Sequence, residues 1–200
     1  DVERSRGLGD VYKRQLEFRL KQLSITDELT GLYNQRHFYT VLASEISRAQ
    51  RYNHRVSLIC FDLDHFKTLN DSYGHLEGDR VLELVGELLL ASIRQGDMAF
   101  RYGGDEFMLL LPETGLVDAR KLAERFRLAF NRQCQHSVEH KDTSLVQVSM
   151  SLGLTESDGY EAVDNLVQRA DQAMYQAKRQ GGNVSFMLNY HPLKRDMMSG

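Results

Sequence analysis

The sequence predicts an α+β domain on a split βαβ, ferredoxin-like core (βαββαβ), with a central antiparallel sheet and flanking helices. Three observations carry this. Hydrophobic spacing alternates between strand and helix periods in the order strand, helix, strand, strand, helix, strand. Gly103-Gly104-Asp105 separates two short apolar runs as a hairpin turn would. The 200 residues are 42% hydrophobic and 26% charged, which supplies one core and excludes a disordered chain.

The elements follow in order. Residues 1–15 (DVERSRGLGDVYKRQ) are polar and aperiodic and read as a disordered or non-native lead-in. Leu16, Leu20 and Leu23 recur at helical spacing, so 16–25 reads as a linker helix, too short for a coiled coil alone. It is either the end of a signalling helix from an upstream sensory domain or a plain packing helix. The domain proper is expected over 26–190 and a flexible tail over 191–200. Asn34 precedes a helical stripe of Phe38, Leu42, Ile46 and Ala49 that ends near Tyr52-Asn53. Residues 55–61 read as a buried strand that stops at Asp62, and 64–70 as a polar connection with a short helix. Residues 79–93 form an amphipathic helix on Val81, Leu82, Val85, Leu88, Leu89 and Ile93. Two short strands follow, over 98–102 and 106–111. Ala119, Leu122, Ala123, Phe126 and Phe130 mark a helix over 116–130. Val146, Val148, Met150 and Leu152 alternate with polar residues as a half-buried strand. Leu166, Ala170, Ala173, Met174 and Ala177 mark a last helix, ended by Gly181-Gly182, with an edge strand over 184–188.

Composition excludes several function classes. A formal net charge of −3 leaves no basic excess to hold a nucleic acid. No apolar run is long enough for a bilayer. Cys60 and Cys134 make no disulfide framework, so buried thiols and a cytoplasmic setting are expected. His37, His54, His65, His136, His140 and His191 show no metal-ligand spacing and read as surface or core residues.

The core topology has a chemical consequence. The first two strands are joined by a right-handed crossover and run parallel, with the third between them. Asp62, at the end of the first strand, then lies beside Asp105 in the hairpin turn. Converging carboxylates repel unless a cation separates them, and such oxygen ligands suit Mg²⁺ or Mn²⁺. Two such ions can clamp the attacking and leaving oxygens of a phosphoryl transfer. Gly103 and Gly104 permit positive φ and close substrate approach. Near Asp62 stand Asp64, Lys67, Asn70, Asp71, His75 and Asp79. Backbone N–H groups of 63–67 can cradle phosphates with Lys67 as a point charge. An Asn with an Asp matches a guanine edge, which offers both acceptors and donors. Each piece also has a plain reading: Gly-Gly-Asp is a common turn, and Asp62-Leu63-Asp64 can cap a helix.

The residues resemble a known family. Arg101-Tyr-Gly-Gly-Asp-Glu-Phe107 contains the signature of the GGDEF domain, the diguanylate cyclase family. Asp27-Glu-Leu-Thr-Gly-Leu-Tyr-Asn34 is similar to its opening motif. Residues 61–71 (FDLDHFKTLND) and 74–79 (GHLEGD) are similar to its metal and guanine segment. Residues 149–153 (SMSLG) and 170–178 (ADQAMYQAK) are similar to its closing strand and helix. The resemblance covers nearly all of 26–186.

It implies a palm-like nucleotide-cyclase fold and a bacterial signalling transferase. Two GTP would condense to cyclic di-GMP and two pyrophosphates, with two subunits facing each other as a homodimer. Asp62, Asp105 and the Leu63 carbonyl would hold metal, two Mg²⁺ or Mn²⁺ per site. Glu106 completes the acidic centre, and Asp105 or Glu106 assists deprotonation of the 3′-hydroxyl. Asn70 and Asp79 would read guanine, with Phe66, His75, Gly103 and Gly104 also around GTP. Lys67 and Lys178 would neutralise phosphate charge. Asp79 favours GTP, because a family subset using adenine nucleotides has a smaller residue there. Arg94-Gln-Gly-Asp97 resembles the family's inhibitory product site, with Arg125 as a second arginine; alternatively it is a helix end. Two departures stand out. Gly182 replaces the arginine of the usual Gly-Arg-Asn, and Gln35 replaces the first arginine of Asn-Arg-Arg. Loss of one phosphate contact costs about 1.5–3 kcal/mol, so weaker GTP binding is expected, with Lys178 or Arg179 to compensate. The alternative is a weak or silent module that senses cyclic di-GMP.

Overall fold

A computed structural model describes residues 25–137 and 146–189. The expected lead-in, the tail and all but the last residue of the expected linker helix lie outside the described residues. In chain order the elements are β1 (Tyr33–Asn34), α1 (Gln35–Tyr52), β2 (Val56–Asp64), α2 (Phe66–Tyr73), α3 (His75–Ser92), β3 (Met98–Arg101), β4 (Glu106–Pro112), α4 (Leu116–Ser137), β5 (Ser149–Ser157), α5 (Val163–Arg179) and β6 (Ser185–Leu188). One six-stranded sheet runs β1-β3-β4-β2-β5-β6. β4 is antiparallel to both β3 and β2, and β5 is antiparallel to β2. The expected βαββαβ core is therefore β2-α3-β3-β4-α4-β5. β1 and β6 widen it at the two edges, each parallel to its neighbour.

Both faces of the sheet are covered, which explains why the strands read as continuous apolar runs. Alternation sends Ile59, Phe61, Leu63, Phe107 and Leu109 into a core beneath α3 and α4. It sends Leu58, Cys60, Met108 and Leu110 into a second core beneath α1 and α5. α1 starts where the Asn34 side chain accepts from the His37 N–H at 3.0 Å, a cap generally worth about 1 kcal/mol. It ends at Asn53, whose φ of 55° is left-handed. α5 lies close on β5 because residue 153 is glycine. A Cβ there would sit 2.1 Å from the Met174 nitrogen and 2.3 Å from the Ala170 oxygen. Both cysteines are buried and unpaired, and burial pushes the Cys134 thiol up to about 11.

Several boundaries differ from expectation. β2 continues past Asp62 to Asp64, and β5 covers 149–157. β5 is not half-buried: Ser149 and Ser151 are enclosed at 8% and 0% exposure and donate to the half-buried Asp64 carboxylate. α3 begins at His75, a full turn before residue 79. Its first turn lacks apolar periodicity, and Leu76 is 81% exposed there. α2 occupies 66–73, and α4 runs to Ser137.

Candidate active site

Register brings the acidic residues together. Asp62 is opposite Glu106, and Phe61 opposite Phe107. The two phenyl rings stack at 5.1 Å in the α3/α4 core. Strand alternation therefore turns Asp62 and Glu106 to the other face. There they line a cleft of about 300 Å³ with Asp171, Tyr175 and Lys178 of α5. Lys178 Nζ is 2.7 Å from Asp62 Oδ1. The Asp62 side chain is only 13% exposed. Burial pushes its carboxyl up, Lys178 opposes the shift, and the neighbouring charges of Asp105 and Glu106 add to it. A second cleft of about 400 Å³ between α1 and α5 shares Glu106 and Asp171 and is bounded by Tyr39, Tyr102 and Gln168.

The signature turn is bound on three sides. Tyr102 and Gly103 N–H both donate to the Glu106 carbonyl, at 2.8 and 3.1 Å. The Leu63 N–H donates to the Asp105 carbonyl at 3.3 Å, which joins the turn to β2. Arg101 reaches back to the Gly104 carbonyl with Nε and Nη2, at 3.2 and 2.8 Å. Its Nη1 meets both oxygens of Asp27 at 3.2 Å. Burial of Asp27 opposes ionisation, but hydrogen bonds from Thr30 together with Arg101 outweigh it and hold the carboxyl below its ordinary value. Neither Gly103 nor Gly104 takes positive φ, contrary to expectation. Gly103 is instead a close approach: a Cβ would stand 2.9 Å from Glu106 Oε2. Arg101 and Asp27 stand in the quoted motifs, yet their pairing had no signal in spacing.

The residues fit a divalent cation. Among the described residues no three His, Cys, Asp or Glu side chains form a metal cage. Two carboxylates and a backbone carbonyl are a sparse set of hard oxygen ligands, of the kind Mg²⁺ accepts when water and phosphate fill its other positions. Asp62 lies in surplus negative charge from Asp105 and Glu106, which one lysine only partly offsets.

The guanine candidates lie at the α2/α3 junction. Asn70 Oδ1 is buried against Gly78 without a hydrogen-bond partner. Phe66 belongs to the core beneath it. Lys67, His75 and Asp79 are exposed. His65 is left-handed (φ 63°) just before α2 and makes no side-chain cap, so its side chain satisfies none of the first N–H groups of α2. Gly78 also belongs to this site. A Cβ there would stand 2.0 Å from Asn70 Oδ1. Gly78→Ala should favour the helix by about 1 kcal/mol yet displace Asn70. If Asn70 meets a guanine edge, the variant should bind GMP roughly tenfold more weakly by calorimetry, with the helix content unchanged. Unchanged GMP binding would remove Asn70 from the site.

Arg94, Asp97 and Arg125 come together as expected. They line one cleft of about 240 Å³ with Thr114, Asp118 and Lys121. Arg94 Nε meets Asp97 Oδ1 at 3.1 Å, and its Nη2 donates to the Pro112 carbonyl and Thr114 Oγ1 at 2.8 and 2.9 Å. Arg125 donates to the Ser92 carbonyl at 2.9 Å.

Comparison with known proteins identifies the family. The family profile described as diguanylate cyclase, GGDEF domain, matches residues 24–184. The chain belongs to that family. It is 40% identical over 161 residues to diguanylate cyclase DgcP of Pseudomonas aeruginosa, covering 80% of this chain and 23% of that protein. It is 36% identical over 175 residues to response regulator PleD of Caulobacter vibrioides, covering 88% of this chain and 38% of PleD. The chain thus spans well under half of these relatives. Among solved structures, the coiled coil and GGDEF domain of DgcB from Caulobacter crescentus, in complex with c-di-GMP, superposes with a TM-score of 0.75. Identity there is 27%, with 94% of this chain and 99% of that one covered. Diguanylate cyclase SiaD of Pseudomonas aeruginosa, in complex with its activator SiaC, gives a TM-score of 0.72 at 35% identity, covering 94% and 72%. Among the described residues no helix is long and apolar enough to cross a membrane.

Proposed function

We propose that this domain is the catalytic part of a diguanylate cyclase, which converts two GTP into cyclic di-GMP and two pyrophosphates. The observation that carries the reading is the meeting of Asp62, Glu106 and Lys178 in one cleft beside the signature turn, with Lys178 Nζ 2.7 Å from Asp62 Oδ1. Asn70 and Asp79 hold the guanine edge. Lys178, Lys67 and the first N–H groups of α2 hold phosphates. Glu106 lines the cleft and takes the proton from the 3′-hydroxyl of the GTP on a facing subunit. That oxygen attacks the α-phosphorus, the bond to the bridging oxygen breaks, and pyrophosphate leaves with the electron pair. Two Mg²⁺ or Mn²⁺ ions, held by Asp62, Asp105 and the Leu63 carbonyl, would supply charge neutralisation at the transferred phosphorus. A single site holds one GTP, so the reaction requires a homodimer.

Phosphate analysis tests this reading. In GTP and Mg²⁺ the protein should release one pyrophosphate per GTP consumed and no inorganic phosphate. Inorganic phosphate release would indicate a GTPase and overturn it. No turnover, with cyclic di-GMP still bound, would favour the sensor reading, which Gly182 in place of the family arginine supports.

The Arg94/Asp97/Arg125 cleft is assigned to the product. Its two arginines suit phosphate or guanine, and Asp97 suits guanine donors. Arg94→Ala should leave the initial rate within about twofold and raise the product concentration for half-inhibition by roughly tenfold or more. Unchanged inhibition would place the product elsewhere.

A further inference from the structure

Asp64 has no role in the chemistry above, yet its carboxylate accepts three hydrogen bonds beside it. It ends β2 two residues after Asp62 and on the same face of the strand. Its Oδ1 accepts from Ser151 Oγ at 2.7 Å. Its Oδ2 accepts from Ser149 Oγ at 2.8 Å and from the Asn183 N–H at 2.9 Å. Both oxygens are thus committed to the protein, whereas Asp62 meets Lys178.

The bond to Asn183 reaches the end of α5. Gly181 and Gly182 N–H close that helix on the carbonyls of Lys178 and Ala177, at 3.1 and 3.3 Å. Asn183 follows directly and is held from the other side by Arg127 of α4. Arg127 Nη1 donates to its carbonyl and its Oδ1 at 2.9 and 2.8 Å. Gly182 turns at φ 76°, and a Cβ there would stand 3.0 Å from Asp64 Oδ2. Residue 182 therefore packs directly on this carboxylate.

We propose that Asp64 is a positioning residue that pins the C-terminus of α5 to the end of β2 and so holds Lys178 at the phosphate end of the cleft. A lysine is a point charge on a flexible four-carbon stem, so its reach depends on where its helix end is fixed. The last turn of a helix is also the part most prone to fray. Asp64 anchors both partners of the Lys178–Asp62 contact: one on its own strand, the other through Asn183. The inference rests on Lys178 being a phosphate contact, as proposed above.

The test compares two probes by calorimetry in Mg²⁺: GMP, and 3′-deoxy-GTP, which lacks the attacking hydroxyl and stays intact. Asp64→Asn puts an amide donor among donors. It should weaken 3′-deoxy-GTP binding roughly tenfold and leave GMP binding within about twofold. A loss of general packing would weaken both alike, and that result overturns the proposal. If Asp64→Asn does not fold, Ser151→Ala removes one donor and should show the same selectivity at about threefold. A wild-type protein that binds both probes equally would remove Lys178 from phosphate binding and the clamp with it. A wild-type preference for 3′-deoxy-GTP that the variants keep in full overturns the clamp alone.

Discussion

Glu106→Gln should abolish measurable condensation while the protein stays folded and binds GTP. The hairpin uses the Glu106 backbone carbonyl, which accepts from Tyr102 and Gly103, so the turn does not depend on the side chain. Gln keeps the volume beside Gly103 and removes one negative charge next to Asp62. The fold therefore loses nothing. The proton of the attacking 3′-hydroxyl loses its acceptor, which generally costs about 10²–10⁴ in rate. Cyclic di-GMP formation and 3′-deoxy-GTP binding, measured on the same preparation, separate the two effects. A variant that binds the nucleotide and retains the wild-type rate would move the base elsewhere, with Asp105 the nearest alternative.

Asp62→Asn carries the second large effect, and its two consequences run in opposite directions. Activity should be lost, because Asp62 is a largely buried carboxylate of the cleft and the partner of Lys178. Stability at neutral pH should rise. Burial is the largest cause of the raised Asp62 carboxyl, with Asp105 and Glu106 adding and Lys178 opposing. The folded state therefore binds this proton more tightly than the unfolded chain, whose ordinary value is 3.8. The stability linked to that proton is fully present below the unfolded value and is lost as pH rises through the folded one. At pH 7 the wild type has lost it, and the asparagine removes the need for it. The expected gain is about 1 kcal/mol, a Tm rise of roughly 2–4 °C, fading toward about pH 4. Lys178 is over one-third exposed and returns to water when its partner goes. Thermal melts across pH decide the point. A lower Tm at pH 7 would mean that the Lys178 contact outweighs the cost of the buried charge.

Much of this was legible in the sequence. The apolar stripes of α1 and α5 and the runs of β2 and β4 have the periods their burial demands, and the Gly-Gly-Asp turn separates β3 from β4 as expected. Once the crossover rule places β4 between β2 and β3, the neighbourhood of Asp62 and Asp105 follows from topology alone. The misreadings fall where polar residues are buried for each other. Ser149 and Ser151 break the alternation of β5 because they serve Asp64, and that carboxylate in turn carries β2 past Asp62. The first turn of α3 lacks a stripe because His75 and Leu76 stand in solvent there. β1 is two residues long and has no period to detect. The roles of Gly103, Gly78 and Arg101 are tertiary. Each depends on a side chain or carbonyl that arrives from another part of the fold, and spacing does not encode that.

In the proposed reaction two facing copies of this acidic cleft, each holding one GTP, join the two nucleotides. The most direct test is the mass of the nucleotide formed when the protein, at high concentration, is incubated with GTP and Mg²⁺, with Glu106→Gln run in parallel. The account predicts cyclic di-GMP from the wild type, accumulation that slows as product builds up, and none from the variant. GDP as the product, or equal amounts of cyclic di-GMP from both proteins, would contradict it.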